Sequence, residues 1–267
     1  MLLFLSLLLA LQQAPPGPLQ VRYVANAGVM LTLDGQKVLI DAPIRDGIEP
    51  YATSAPDERT RLENATAPYD NVSAILVTHW HEDHFDPEAI AAHLRHDAQT
   101  ILVSSREVVE RVRKIASDLP NARFAGITPS PGQSQLVAVG KLKVHVLRAR
   151  HNPTRRWPEE HVAFVVQGSQ TVIHTGDAAL EPGTFATQAA LPPIDLAIVP
   201  FWHLLNDATR VQTIEGTIKA RAAIGMHLPQ ADGPRVQAQF DTKRIMATLL
   251  VTPGTDVPAI AVTSRRD

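Results

Sequence analysis

Between residues 79 and 84 the chain reads His79-Trp80-His81-Glu82-Asp83-His84, which puts three histidines and an aspartate within six residues. The apolar run 74–77 just before it suits a buried strand. Asp86-Pro87-Glu88 just after it supplies an N-cap residue, a proline at the first helical position and an acid in the first turn, so a helix is expected to about His96. Between a strand end and a capped helix lies a loop, whose backbone can turn several side chains toward one point. Imidazole nitrogen and carboxylate oxygen are the donors that Zn²⁺ and similar ions take, at about 2.0 to 2.2 Å. An isolated histidine is usually structural or on the surface, and His93 and His96 on the expected helix are read that way. His79, His81, Asp83 and His84 together are read as metal ligands.

Cysteine is absent, which excludes disulfides and thiolate ligation and throws any transition metal onto the eleven histidines and the carboxylates. A formal net charge of −2 gives no reason to expect a nucleic-acid or membrane-surface partner. With 267 residues, 45% of them hydrophobic, one globular domain with a sizeable core is expected. Residues 1–14, MLLFLSLLLALQQA, are apolar over too short a run to span a bilayer comfortably and lead into Pro15-Pro16-Gly17-Pro18. They read as the apolar region of a secretory signal, although no Lys or Arg precedes them and Gln12 spoils the small-residue cleavage pattern. The organisation expected is a signal peptide and Pro-rich junction over 1–18 and a single domain over 19–267. The mature protein is then periplasmic or secreted, with no stable membrane span. A misplaced start or an uncleaved anchor is the alternative, and a cytoplasmic protein the fallback.

From Leu19 onward short apolar runs predict strands at 21–25, 29–33 and 38–40, the last two joined by Asp34-Gly35-Gln36. Residues 44–71, with Pro50, Pro56 and Pro68, are expected to interrupt regular structure. Further strands are predicted at 101–103, 142–147, 162–166, 171–174 and 196–199, and helices at 108–116 and 208–220.

The His-x-His-x-Asp-His segment after a strand resembles the signature of the metallo-β-lactamase superfamily, and the resemblance covers roughly residues 19–229. His151 follows the strand at 143–147 in the position of that family's next ligand, although His145 and His161 are near. Thr175-Gly176-Asp177 is similar to its bridging-aspartate segment, Gly225-Met226-His227 to its last ligand, and Leu39-Ile40-Asp41 to the aspartate that braces the metal loop. The resemblance implies an α+β fold, a four-layer αββα sandwich with the metal site at the edge between the two sheets. It also implies His79, His81 and His151 on one ion, Asp83, His84 and His227 on a second, and Asp177 bridging. His174, just before Gly-Asp, is read as a supporting or structural residue.

Within the superfamily the chain looks most like the branch of ascorbate-lactonase-like and N-acylphosphatidylethanolamine phospholipase-D-like enzymes. The function implied is hydrolysis of an ester, lactone or phosphodiester by a hydroxide bridging two metal ions, expected to be zinc, with Mn²⁺ or Fe²⁺ as alternatives. The leaving group would take its proton from a metal-bound water, Asp83 or His203. Asp83 is read chiefly as a ligand, and His203 as either a pocket residue or a structural one. In the loop 151–158, Arg155, Arg156 and Trp157 suit contact with an anionic small-molecule substrate, against the plainer reading of a solvated loop balanced by Glu159 and Glu160. An iron oxygenase on the same scaffold is the rival enzyme. His81 argues against the diiron electron-transfer branch, which carries glutamate there. A non-catalytic metal-binding protein is the third reading.

Overall fold

The computed structural model describes residues 18–152, 160–180, 191–205, 211–240 and 246–258, with Phe185 and Ala208 as single positions. β1 (Gln20–Ala25), β2 (Gly28–Leu33) and β3 (Gln36–Ile40) form an antiparallel meander. Asp34 and Gly35 turn its second corner at φ 52° and 76°, the positive-φ pair that a tight hairpin demands. β4 (Val72–Val77), β5 (Ile101–Ser104) and β6 (Phe124–Gly126) then add in parallel, giving a six-stranded sheet in the order β1-β2-β3-β4-β5-β6.

The second sheet has seven strands and runs in reverse chain order. β7 (Ser134–Val139), β8 (Leu142–Arg148), β9 (Val162–Gln167) and β10 (Thr171–His174) are antiparallel, whereas β11 (Leu196–Pro200), β12 (Ala222–Met226) and β13 (Met246–Leu249) join in parallel.

The period of two along each strand sorts side chains into layers. Val38, Ile40 and Leu76 turn inward and meet Val162, Phe164, Val166 and Ile198 of the other sheet in one core. Leu39, Ile75 and Val77 turn outward beneath Leu62 of α1 (Pro56–Glu63), Ile90 and Leu94 of α2 (Pro87–His96), and Val108 and Val112 of α3 (Arg106–Ile115). On the far side Ala163, Val165 and Val199 face Leu204 and the π-helical segment Val211–Ile218, through Ile214 and Ile218. This is the four-layer αββα arrangement expected from the sequence.

The differences have physical causes. Residues 44–71 are not wholly irregular, because Pro56 opens α1 with Asp57 and Glu58 in its first turn. That helix buries little apolar surface beyond Leu62, so it has no apolar stripe to reveal it; Glu58 is its other buried residue. β7 went unpredicted because most of its side chains are exposed, and backbone pairing with β8 holds it. The helix predicted at 208–220 is described as the π-helical segment over Val211–Ile218. The segment 1–14 and its junction as far as Gly17 lie outside the described residues, and among the described residues no helix is long and apolar enough to cross a membrane.

Candidate metal centre

The loops that follow β3, β4, β8, β10 and β12 open at one end of the sandwich, and each contributes a side chain to a single cluster. Asp41, at the end of β3, takes φ 48°, which aims its carboxylate at the neighbouring β4 loop. There its Oδ1 accepts from the Thr78 backbone N–H at 2.7 Å and its Oδ2 from the Thr78 hydroxyl at 2.6 Å. The same Oδ2 lies 2.8 Å from Nδ1 of His84. The Thr78 hydroxyl proton is thus committed to Asp41, so at 2.9 Å Thr78 Oγ1 must accept from Nδ1–H of His79. His151 donates its own Nδ1–H to the Asn152 carbonyl at 2.8 Å.

These outer bonds fix tautomers. In a neutral imidazole one nitrogen donates and the other accepts. With Nδ1 donating outward in His79, His84 and His151, each Nε2 turns its lone pair inward. Nε2 of His79 faces Nδ1 of His81 at 3.0 Å. Nε2 of His84 lies 3.3 Å from Asp177 Oδ1, yet both atoms are buried without a hydrogen bond. His227 follows β12 at φ 63° and brings Nε2 to 3.0 Å from Asp83 Oδ2 and 3.3 Å from Asp177 Oδ2. Asn26, in the β1–β2 turn, donates to the Asp83 carbonyl at 3.0 Å and to its carboxylate at 3.2 Å, which fixes Asp83 from behind.

Acceptors pointed at acceptors in a dry site are costly unless a cation lies among them. Among the described residues three such gatherings occur, with donor atoms within 4.8 Å of one another: His79, His81 and His151; His79, His84 and Asp177; and Asp83, His84 and His227. The set is all imidazole and carboxylate, which fits zinc or another borderline divalent ion.

The electrostatics point the same way. Burial, with His84 and His161 beside it, holds the His79 imidazole well below its ordinary pKa, and burial also lowers His81 and His151. Burial alone would lower His84 and His227 as well, but Asp177 raises His84 well above the ordinary value and brings His227 to about 9. Burial would raise Asp83, but His84 and His227 pull it down to about 2. The carboxylates that raise His84 and His227 would equally draw in a cation, which would take the place of any proton on their inward nitrogens.

A family profile described as a beta-lactamase superfamily domain matches residues 36–232. The chain belongs to the metallo-β-lactamase superfamily. A UPF0173 metal-dependent hydrolase of Hyperthermus butylicus is 25% identical over 238 residues, covering 86% of this chain and 95% of that protein. Among solved structures, a possible metal-dependent hydrolase from Veillonella parvula superposes with a TM-score of 0.63 at 14% identity, over 90% of this chain and 99% of that one. CmlA, a diiron β-hydroxylase from Streptomyces venezuelae, superposes with a TM-score of 0.62 at 12% identity, over 92% of this chain and 55% of CmlA, so the chain spans little more than half of that enzyme. At these identities the structural likenesses speak for the fold.

Other side chains of this metallo-β-lactamase fold sit around the cluster. His174 is fully buried, donates Nε2–H to the Ala27 carbonyl at 2.9 Å, and accepts on Nδ1 from the Gly176 N–H at 3.2 Å, which braces the turn carrying Asp177. Gly176 has φ 52°, and a Cβ there would come within 2.6 Å of Thr78 Oγ1, so only glycine lets this turn close on the β4 loop. His203 accepts on Nε2 from the Trp202 indole at 3.0 Å, and its ring also bonds the Ala178 backbone, next to Asp177. Burial lowers its pKa to about 4. His145 is turned away onto Gln167 at 3.2 Å. His161 is buried behind the cluster, its ring 4.9 Å from His79, and it joins none of the three gatherings.

Arg155, Arg156 and Trp157 lie outside the described residues. Sequence reading places Thr78 at the head of the motif without giving it a role, and it missed Asn26 and the aromatic rings of Tyr51 and Trp202, 4.2 Å and 5.2 Å from that of His227. Asn26 reads locally as a turn residue, and Tyr51 falls in a stretch assigned to irregular structure; only Thr78, inside the motif, carried a signal.

Proposed function

We propose that the chain is a metal-dependent hydrolase with a two-metal centre acting on an ester, lactone or phosphodiester. The inward turn of the His79, His84 and Asp177 donors, enforced by Asp41 and Thr78 from outside, carries this reading. His79, His81 and His151 would hold one ion, Asp83, His84 and His227 the other, and Asp177 would lie between them. Such ions supply Lewis acidity and lower the pKa of a bound water toward neutrality.

The remaining work falls to the chain. Asp41 keeps His84 and, through the Thr78 hydroxyl, His79 in the ligating tautomer. Asp83 stays ionised at neutral pH, which suits a ligand and not a proton donor. Trp202 and Tyr51 stand edge-on against the His227 ring and pack its side of the site. With His203 tied to Trp202, the leaving-group proton is assigned to solvent inside the site.

Arg155, Arg156 and Trp157 are proposed to contact substrate, and an anionic one is the expectation they carry. The test is a screen of p-nitrophenyl diesters and lactones with zinc-, manganese- and iron-loaded protein, alongside elemental analysis and an optical spectrum. Hydrolysis that depends on added metal, with no iron chromophore, supports the proposal. An iron chromophore with oxygen consumption and no hydrolysis overturns it in favour of oxygenase chemistry.

A further inference from the structure

The imidazoles of the centre differ in how they are held. His79, His84 and His151 each have their outer nitrogen bonded to an oxygen, from Thr78, Asp41 and Asn152 respectively. His81 is only half-buried, and its Nδ1 is the atom turned inward toward His79. Among the described residues its outer Nε2 has no hydrogen-bond partner, so no oxygen behind the ring sets its plane as in the other three. Its ring lies 4.5 Å from that of His79 and 4.9 Å from that of His151, and the aromatic ring against it from outside the proposed ligands is Trp80, whose indole stands nearly perpendicular to it, at 81° and 5.4 Å between centroids. Trp80 in turn packs on the core beneath the helices and is capped on its face by the Arg111 guanidinium, 4.6 Å from the ring centroid. Arg111 sits on α3, tied to Glu107 one turn earlier at 2.9 Å, and α3 is anchored by the buried Val108, Val109 and Val112.

We propose that Arg111 is a positioning residue of the metal centre, clamping Trp80 by a cation–π contact so that the His81 ring keeps its ligating orientation. Neighbouring ligands use hydrogen bonds to set ring orientation; here packing and a cation do so. The inference rests on the two-metal reading above and extends it to a residue on an outer helix that touches no proposed ligand itself.

The experiment measures zinc affinity and stoichiometry of the full chain by competition with a chromophoric chelator, for wild type, Arg111→Gln, Arg111→Lys and Trp80→Ala, with melting temperature as a folding control. Arg111→Gln should weaken one of the two zinc ions by about two- to fivefold, Arg111→Lys should restore most of that, and Trp80→Ala should cost about tenfold or more. The cobalt-loaded Arg111→Gln protein should show an altered visible spectrum for one site only. Unchanged zinc binding in Arg111→Gln overturns the clamp, as does equal loss in Arg111→Lys, or a higher KM for an anionic diester with zinc affinity intact. Wild-type protein that takes up no zinc overturns the clamp and the two-metal reading together, whereas zinc binding that ignores Arg111 removes the clamp alone.

Discussion

Asp41 and His84 meet side chain to side chain, Oδ2 to Nδ1 at 2.8 Å, although 43 positions separate them and both are wholly buried. Asp41 accepts three donors there, from the Thr78 backbone, the Thr78 hydroxyl and His84. Asparagine tolerates the positive φ of this position, yet it has one acceptor oxygen and presents an amide N–H₂ toward donors. Asp41→Asn should therefore keep the fold by circular dichroism and lose about 10- to 100-fold in zinc affinity. Unchanged affinity would remove Asp41 from the support of the site.

How much of this was legible depends on where the contacts lie along the chain. His79, His81, Asp83 and His84 announce themselves because a strand end and a helix cap bracket them within one loop. Asp41 and Asp177 were found by resemblance, each just past an apolar run that proved to be a strand. Asn26, Tyr51 and the Trp80–Arg111 contact were not found, because each is joined to the site only through space. α1 stayed hidden for another reason: charge, not an apolar stripe, seats it. Glu58 on α1 bonds Arg22 of β1 at 2.9 Å and Arg61 at 2.7 Å, and accepts from the Tyr69 hydroxyl.

That seat gives a pH prediction. Burial would raise the Glu58 carboxyl, but Arg61, Tyr69 and Arg22 together hold it below its ordinary pKa. Because the folded value is depressed, the stability Glu58 contributes is full above roughly pH 4.3, where an unfolded glutamate is ionised, and is lost as pH falls through the folded value. Glu58→Gln should lower the melting temperature at neutral pH by about 2 to 8 °C, and the gap to wild type should close in acid. A gap that persists or widens in acid would contradict this assignment.

His203 offers a test of the proton bookkeeping. A general acid contributes about 10²- to 10⁴-fold, chiefly for poor leaving groups. Since His203 is bound by Trp202 and the Ala178 backbone, His203→Ala should slow alkyl and p-nitrophenyl esters by the same modest factor. A selective collapse with alkyl leaving groups would restore His203 as the proton donor.

Two ions with Asp177 between them are what the clustered donors are expected to hold. Counting metal ions per chain by elemental mass spectrometry, on wild type and Asp177→Ala purified side by side, tests this most directly. Two ions in wild type, and one or none with loss of hydrolysis and intact β-sheet signal in the variant, are the predicted result. A variant that keeps two ions and near-normal turnover, or a wild type that binds none, would contradict the account.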